Sequence, residues 1–249
     1  MRGIALRFGG VVALDDVSFA VRPAEIFAVI GPNGAGKTSI FNCLNGIYHP
    51  QRGTIVFEGV DITRRTPPGI AKLGMARTFQ NLALFNGASV IENVMLGRHN
   101  VMRTSIVSGL AWFGPARHAE RENRDVCDAI ITELGLAEYR DAPIVQLPYG
   151  IQKRIEFARA LAMEPKLILL DEPVAGMNRE ESNAMARHIV GARTRRGIPM
   201  ILVEHDMQTV MDIADRVLVL DFGRIIAFGT PAEVRSDPRA IAAYMGSVA

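Results

Sequence analysis

The chain has 249 residues, 49% of them apolar and 22% charged, with a formal net charge of +2 at pH 7. That length and apolar content suit one large α/β domain, or one domain with an insert, and the near-neutral charge gives no reason to expect nucleic acid as a partner. Cys43 and Cys127 form neither a metal nor a redox motif, no secretory signal opens the chain and no apolar run can span a bilayer, so a soluble, cytoplasmic chain is expected.

In chain order, Val17, Phe19 and Val21 alternate with Ser18 and Ala20, which predicts a half-buried strand over Val11–Val21. Ile26 to Ile30 is a short apolar run and reads as a buried strand. It leads into Gly31-Pro32-Asn33-Gly34-Ala35-Gly36-Lys37-Thr38, which has the G-x-x-x-x-G-K-[ST] form of a phosphate-cradling loop. Ile40, Phe41, Leu44 and Ile47 then recur at helical spacing. Strand, glycine-rich turn and helix start is the arrangement that phosphate chemistry needs. Glycines let backbone N–H groups point inward, and the helix N-terminus adds partial positive charge. Lys37 would reach the β- and γ-phosphates, and the Thr38 hydroxyl would ligate magnesium.

Thr54–Phe57 is a predicted strand, residues near Ile70–Leu73 a short helix, and Met75–Phe79 an extended segment ending at Gln80. Ser89-Val90-Ile91-Glu92 is a capping box that starts a helix. After an irregular stretch from His99 to Pro115, a long polar helix places Val126, Ala129, Ile130 and Leu134 on one face, with Gly135 beyond its end. Residues 81–146 are therefore expected to form a mostly helical insert between two halves of an α/β core, residues 1–80 and 147–249.

Leu147-Pro148-Tyr149-Gly150 turns into a helix carrying Ile151, Ile155, Ala158 and Leu161. Leu167–Leu170 is wholly apolar, the mark of a parallel strand covered on both faces. A helix over Arg179–Arg196, a strand over Met200–Val203, a helix after Asp206 and a strand over Val217–Leu220 continue the alternation. A hairpin at Asp221-Phe222-Gly223 follows, and Thr230-Pro231-Ala232-Glu233 caps a last helix. The pattern predicts a largely parallel sheet with its ligand at the strand C-terminal ends.

Those ends carry the remaining chemistry. Asp171 directly follows an apolar strand and can hold magnesium opposite Thr38. Glu172 points elsewhere and can polarise an attacking water. Gln80 and His205 also end extended segments; an amide there can touch magnesium or the water, and an imidazole can donate to the γ-phosphate.

Together, Gly31–Thr38, Gln80, Leu147–Gln152, Leu167–Pro173 and His205 resemble the ATP-binding subunit of ABC transporters, over nearly the whole chain. The resemblance implies a P-loop NTPase core with a mixed, largely parallel sheet, an N-terminal antiparallel β portion and an inserted α-helical subdomain. It assigns Gly31–Thr38 to Walker A, Gln80 to the Q-loop, Leu170–Glu172 to Walker B and His205 to the switch histidine. It places Phe8 against adenine and adds Ser39 to the nucleotide-binding set. Gly150 would meet a nucleotide held by a partner chain. ATP and Mg2+ are the implied cofactors.

Arg7–Leu14, Ala76–Asn81, Ala175–Asn178 and Val203–Met207 narrow the resemblance to branched-chain (hydrophobic) amino acid importers. In these, two like or paralogous ATPases pair beneath two membrane-embedded permease subunits, on the cytoplasmic face of the inner membrane, and a periplasmic binding protein delivers cargo. Import of urea or short amides and lipopolysaccharide export are the alternatives. Three features depart from the pattern. Pro148 and Ile151 replace the Ser and Gln of a Leu-Ser-Gly-Gly-Gln signature, which predicts a weaker site where this signature closes. Asn178 stands where most relatives have Asp. Only seven residues precede Phe8, so the first strand is expected to be nearly absent, either because translation begins upstream or because the sheet edge is abbreviated.

Overall fold

The computed structural model describes residues 1–78, 84–100 and 115–245. Its frame is a six-stranded sheet in the order β11-β10-β3-β9-β8-β7. The strands are β3 (Ile26–Ile30), β7 (Met75–Arg77), β8 (Leu167–Asp171), β9 (Met200–Val203), β10 (Arg216–Asp221) and β11 (Arg224–Gly229). All neighbours pair in parallel except the β10–β11 hairpin.

Every side chain of β3, β8 and β9 is buried, and the period of two divides them between two cores. Ile26, Ala28, Ile30, Ile168, Leu170, Met200 and Leu202 face one core. Phe27, Val29, Leu167, Leu169, Ile201 and Val203 face the other. A continuous apolar run is what a strand covered on both faces requires.

The first core is closed by helices α3 (Val90–Leu96), α4 (Pro115–Glu133), α5 (Tyr149–Ala162) and α6 (Arg179–Arg196), with α7 (Met207–Ile213) and α8 (Pro231–Ser236) nearby. The chain ends in α9 (Pro238–Met245). The second core lies under α1 (Lys37–Leu44), α2 (Pro67–Ala71) and an antiparallel sheet in the order β2-β1-β4. In that sheet β1 is Arg2–Phe8, β2 Val11–Val17 and β4 Arg52–Thr54; β5 (Val56–Phe57) and β6 (Val60–Asp61) make a small ribbon beside it.

The capping boxes are present. Ser89 and Glu92 close α3, Asn178 and Glu181 close α6, and Thr230 and Glu233 close α8. Asn178, one of the departures from the family pattern, thus N-caps α6.

Several expectations need correction. The first strand is not abbreviated: β1 runs the full seven residues from Arg2, lies between β2 and β4, and buries Ile4 and Leu6. The strand after it ends at Val17, and Phe19 instead stacks on Phe27 at 5.0 Å. Thr54–Phe57 is two strands, because the Ile55 N–H donates to the Thr63 hydroxyl and its carbonyl accepts from Ile62. In α4 the buried face holds Cys127, Ile130 and Ile131, continued by Leu134 just past its end, while Ala129 is exposed. Gln80 lies outside the described residues.

Candidate active site

The phosphate loop leaves β3 at the middle of the parallel sheet, where strand neighbours diverge and ligands bind. Its glycines are there for space as well as conformation. Gly31 has φ 153°, and a Cβ on it would collide with the Leu220 carbonyl oxygen. Gly36 has φ 106°, and a Cβ would lie 2.5 Å from the Ala13 carbonyl oxygen. The loop is braced from the β10–β11 turn, where the Gly223 N–H donates to the Ala35 carbonyl at 2.9 Å. Asn33 and Gly34 are exposed at the loop's crest, with Pro32 half-buried beside them.

Lys37 is buried and curls over the loop; its Nζ donates to the Gly31 carbonyl at 2.7 Å and the Pro32 carbonyl at 2.9 Å. Burial lowers its pKa from the ordinary lysine value, and the negative charge of Glu172 partly offsets this. Thr38 is exposed and Ser39 half-buried at the start of α1. Phe8 ends β1 with its ring 46% exposed, edge-on to Tyr48 at 4.9 Å.

Asp171 closes β8 and is almost fully buried. Its Oδ2 accepts from Arg77 at 2.7 Å, and the same guanidinium donates to Asn42 Oδ1 of α1 at 2.8 Å while lying 5.6 Å from the Phe41 ring centroid. Arg77 therefore ties β7, the phosphate-loop helix and the carboxylate together. In the sequence Arg77 stands only within the Ala76–Asn81 stretch; a cation at the end of a short apolar strand is the signal of a buried anion beside it.

Glu172 follows with φ 48°, a left-handed conformation unusual for a side chain of this size. Its N–H makes the last bond of the β8–β9 ladder, to the Val203 carbonyl at 2.9 Å. The turn swings its carboxylate away from Asp171 and toward His205, whose Nδ1 lies 3.9 Å from Glu172 Oε2. His205 itself is well exposed. Glu204, the residue before His205, is completely buried, with its Oε2 3.7 Å from His205 Nδ1. It too was missed, although a carboxylate directly after the apolar β9 was visible in the sequence.

Gly150 is buried in the first turn of α5, and its nearest neighbours are atoms of Glu181 in α6, not of the phosphate loop. Tyr149 lies against Gly176, so the signature turn packs on the segment before α6. Pro148 supplies no side-chain cap to α5. The Ile151 and Gln152 N–H groups of this fourteen-residue helix both donate to the Pro148 carbonyl at 3.0 Å, so its first turn closes on backbone rather than on a side chain.

Among the described residues, no three His, Cys, Asp or Glu side chains cluster to hold a metal. Thr38 is exposed at the start of α1 and Asp171 ends β8, oxygen donors of the kind that magnesium takes beside a nucleotide.

Comparison with known proteins bears directly on this arrangement. The ABC transporter family profile matches residues 14–175, and a branched-chain amino acid ATP-binding cassette transporter segment matches residues 224–249. The chain is 39% identical to the high-affinity branched-chain amino acid transport ATP-binding protein LivG of Salmonella typhimurium, over 99% of this chain and 96% of that one. It is 37% identical to the corresponding BraF protein of Pseudomonas aeruginosa, over 98% and 96%. Among solved structures, an ATP-binding cassette of an ABC transporter in its ADP conformation superposes with a TM-score of 0.85 at 30% identity, covering 98% and 97% of the two chains.

Proposed function

Because the chain belongs to the ABC transporter family of ATP-binding subunits, we propose that it powers import of branched-chain or related amino acids. In this reading it pairs with a second ATPase beneath a membrane-embedded permease. Among the described residues no helix is long and apolar enough to cross a membrane, so transport needs such a permease. The match of the C-terminal segment favours this cargo class over urea, short amides or lipopolysaccharide. A periplasmic binding protein would select the cargo.

One observation carries the catalytic assignment. Lys37, Asp171, Glu172 and His205 leave three neighbouring strands at the same end of the sheet, with Glu172 electrostatically coupled to Lys37 and within 3.9 Å of His205. Lys37 exchanges its loop carbonyls for β- and γ-phosphate oxygens, and the N–H groups of Gly34, Gly36 and Thr38 cradle the rest. Phe8 offers an exposed ring face to adenine. Thr38 and Asp171, with Gln80, would hold magnesium, which would supply charge neutralisation at the phosphoryl group. Glu172 takes a proton from the attacking water, and His205 donates to the γ-phosphate. A partner's Gly150 and the start of its α5 complete the pocket from the other side, and residues 81–146 offer the permease its docking surface.

Glu172→Gln keeps the size and removes the base. ATP binding should be unchanged and turnover should fall by about 10²–10⁴-fold. Hydrolysis by this variant at the parent rate, followed as phosphate release, would remove Glu172 from the base role.

A further inference from the structure

Beyond Asp171 and Val203, the last paired residues of β8 and β9, the two chains part. One leads through Glu172 to Val174, and the other through Glu204 to His205 and Asp206. The Glu204 carboxylate spans that fork. Its Oε1 accepts from the Val174 N–H at 3.0 Å, and its Oε2 accepts from the His205 N–H at 2.9 Å and the Asp206 N–H at 3.3 Å. Asp206 in turn caps α7 through the Thr209 N–H, so His205 is fixed on both sides. Among the described residues no Lys or Arg lies within ion-pair distance of Glu204. A carboxylate with no solvent exposure and no such cation is costly to keep. Burial raises its pKa, and the three N–H donors oppose that rise. A residue concerned only with filling space here would be apolar.

We propose that Glu204 is a positioning residue for ATP hydrolysis, holding the His205 backbone and the chain after Glu172 in one register so that imidazole and carboxylate face the same phosphate. The proposal rests on the ATPase reading above. It does not make Glu204 a group that touches nucleotide.

Glu204→Gln preserves the shape but leaves one acceptor oxygen where two are used. Steady-state ATPase assays should show kcat reduced about 10- to 100-fold, the scale of a displaced reacting group, with KM and the affinity for a fluorescent ATP analogue unchanged. If Glu204 acts through Glu172 and His205, adding Glu204→Gln to a variant carrying both Glu172→Gln and His205→Ala should slow it no further. Parental kcat in Glu204→Gln, or a further loss in that triple variant, would overturn the proposal. Should the substituted chains fail to fold, amide hydrogen exchange of the unaltered protein serves. Val174, His205 and Asp206 should be protected and open together, and free exchange at His205 and Asp206 would refute the clamp. An unaltered protein that turns over no ATP even with the second ATPase subunit of its transporter would instead sink the underlying ATPase reading.

Discussion

At the scale of single residues, the pair of Arg77 and Asp171 shows how this site handles charge. Both side chains are under one-tenth exposed and meet at 2.7 Å, so each depends on the other to stay ionised in the interior. Arg77→Met should therefore destabilise the protein by about 3–5 kcal/mol, the cost of stranding a buried charge. Arg77→Met combined with Asp171→Asn should regain part of that loss, because no lone carboxylate remains. Urea unfolding of the three proteins checks it: a double variant no more stable than Arg77→Met would show that the guanidinium acts elsewhere. The sequence exposed Lys37, Asp171 and Glu172, because a fixed motif and an apolar run ending in carboxylates are local patterns. Arg77 and Glu204 were legible only as letters. Their roles come from partners 94 and 30 residues away, respectively.

At the scale of elements, α5 carries the signature turn at one end and packs the main core along its length. Ile151, Ile155, Ala158 and Leu161 recur at three and four residues, and all four are buried. Ile155, with no exposed surface, should cost about 2–5 kcal/mol when truncated to Ala, read as a shift of the urea midpoint at constant slope. A change below 0.5 kcal/mol would mean that α5 is not held by this face. Elements whose signal is local were readable from the sequence: β3, β9 and α6 have the bounds that their apolar runs and caps predicted. Elements whose form depends on a distant neighbour were not. β1 looked too short to matter until its pairing with both β2 and β4 was seen, and the break at Ile55 depends on Thr63 reaching across the ribbon. At α4 the expected face held for Val126, Ile130 and Leu134 and failed only at Ala129, in place of which Cys127 and Ile131 are buried.

At the scale of the whole molecule, the proposed function gives each chain two half-sites, a phosphate loop and a signature turn, to be joined across a pair. In that reading ATP favours closure by binding the paired state better than the open one; moving an equilibrium from 1:99 to 99:1 takes about 10⁴-fold difference in affinity. Glu172→Gln protein, alone or with the second ATPase subunit of its transporter, should dimerise when ATP is added and dissociate when ADP replaces it, as followed by light scattering. A mass independent of nucleotide would contradict closure driven by ATP. The brace from Gly223 to Ala35 and the packing of Gly31 on Leu220 carry one more consequence, for the order of events on the ribosome. The loop at residues 31–38 is translated early, yet the backbone that shapes it arrives with the β10–β11 turn, almost two hundred residues later. Early-emerging segments can fold as they appear, but a nascent chain stalled before residue 217 lacks β10, one of the two strands beside β3, and the donor for Ala35. A chain truncated before the β10–β11 turn should therefore bind a fluorescent ATP analogue far more weakly than the whole protein, and equal affinity would mean that the loop shapes itself.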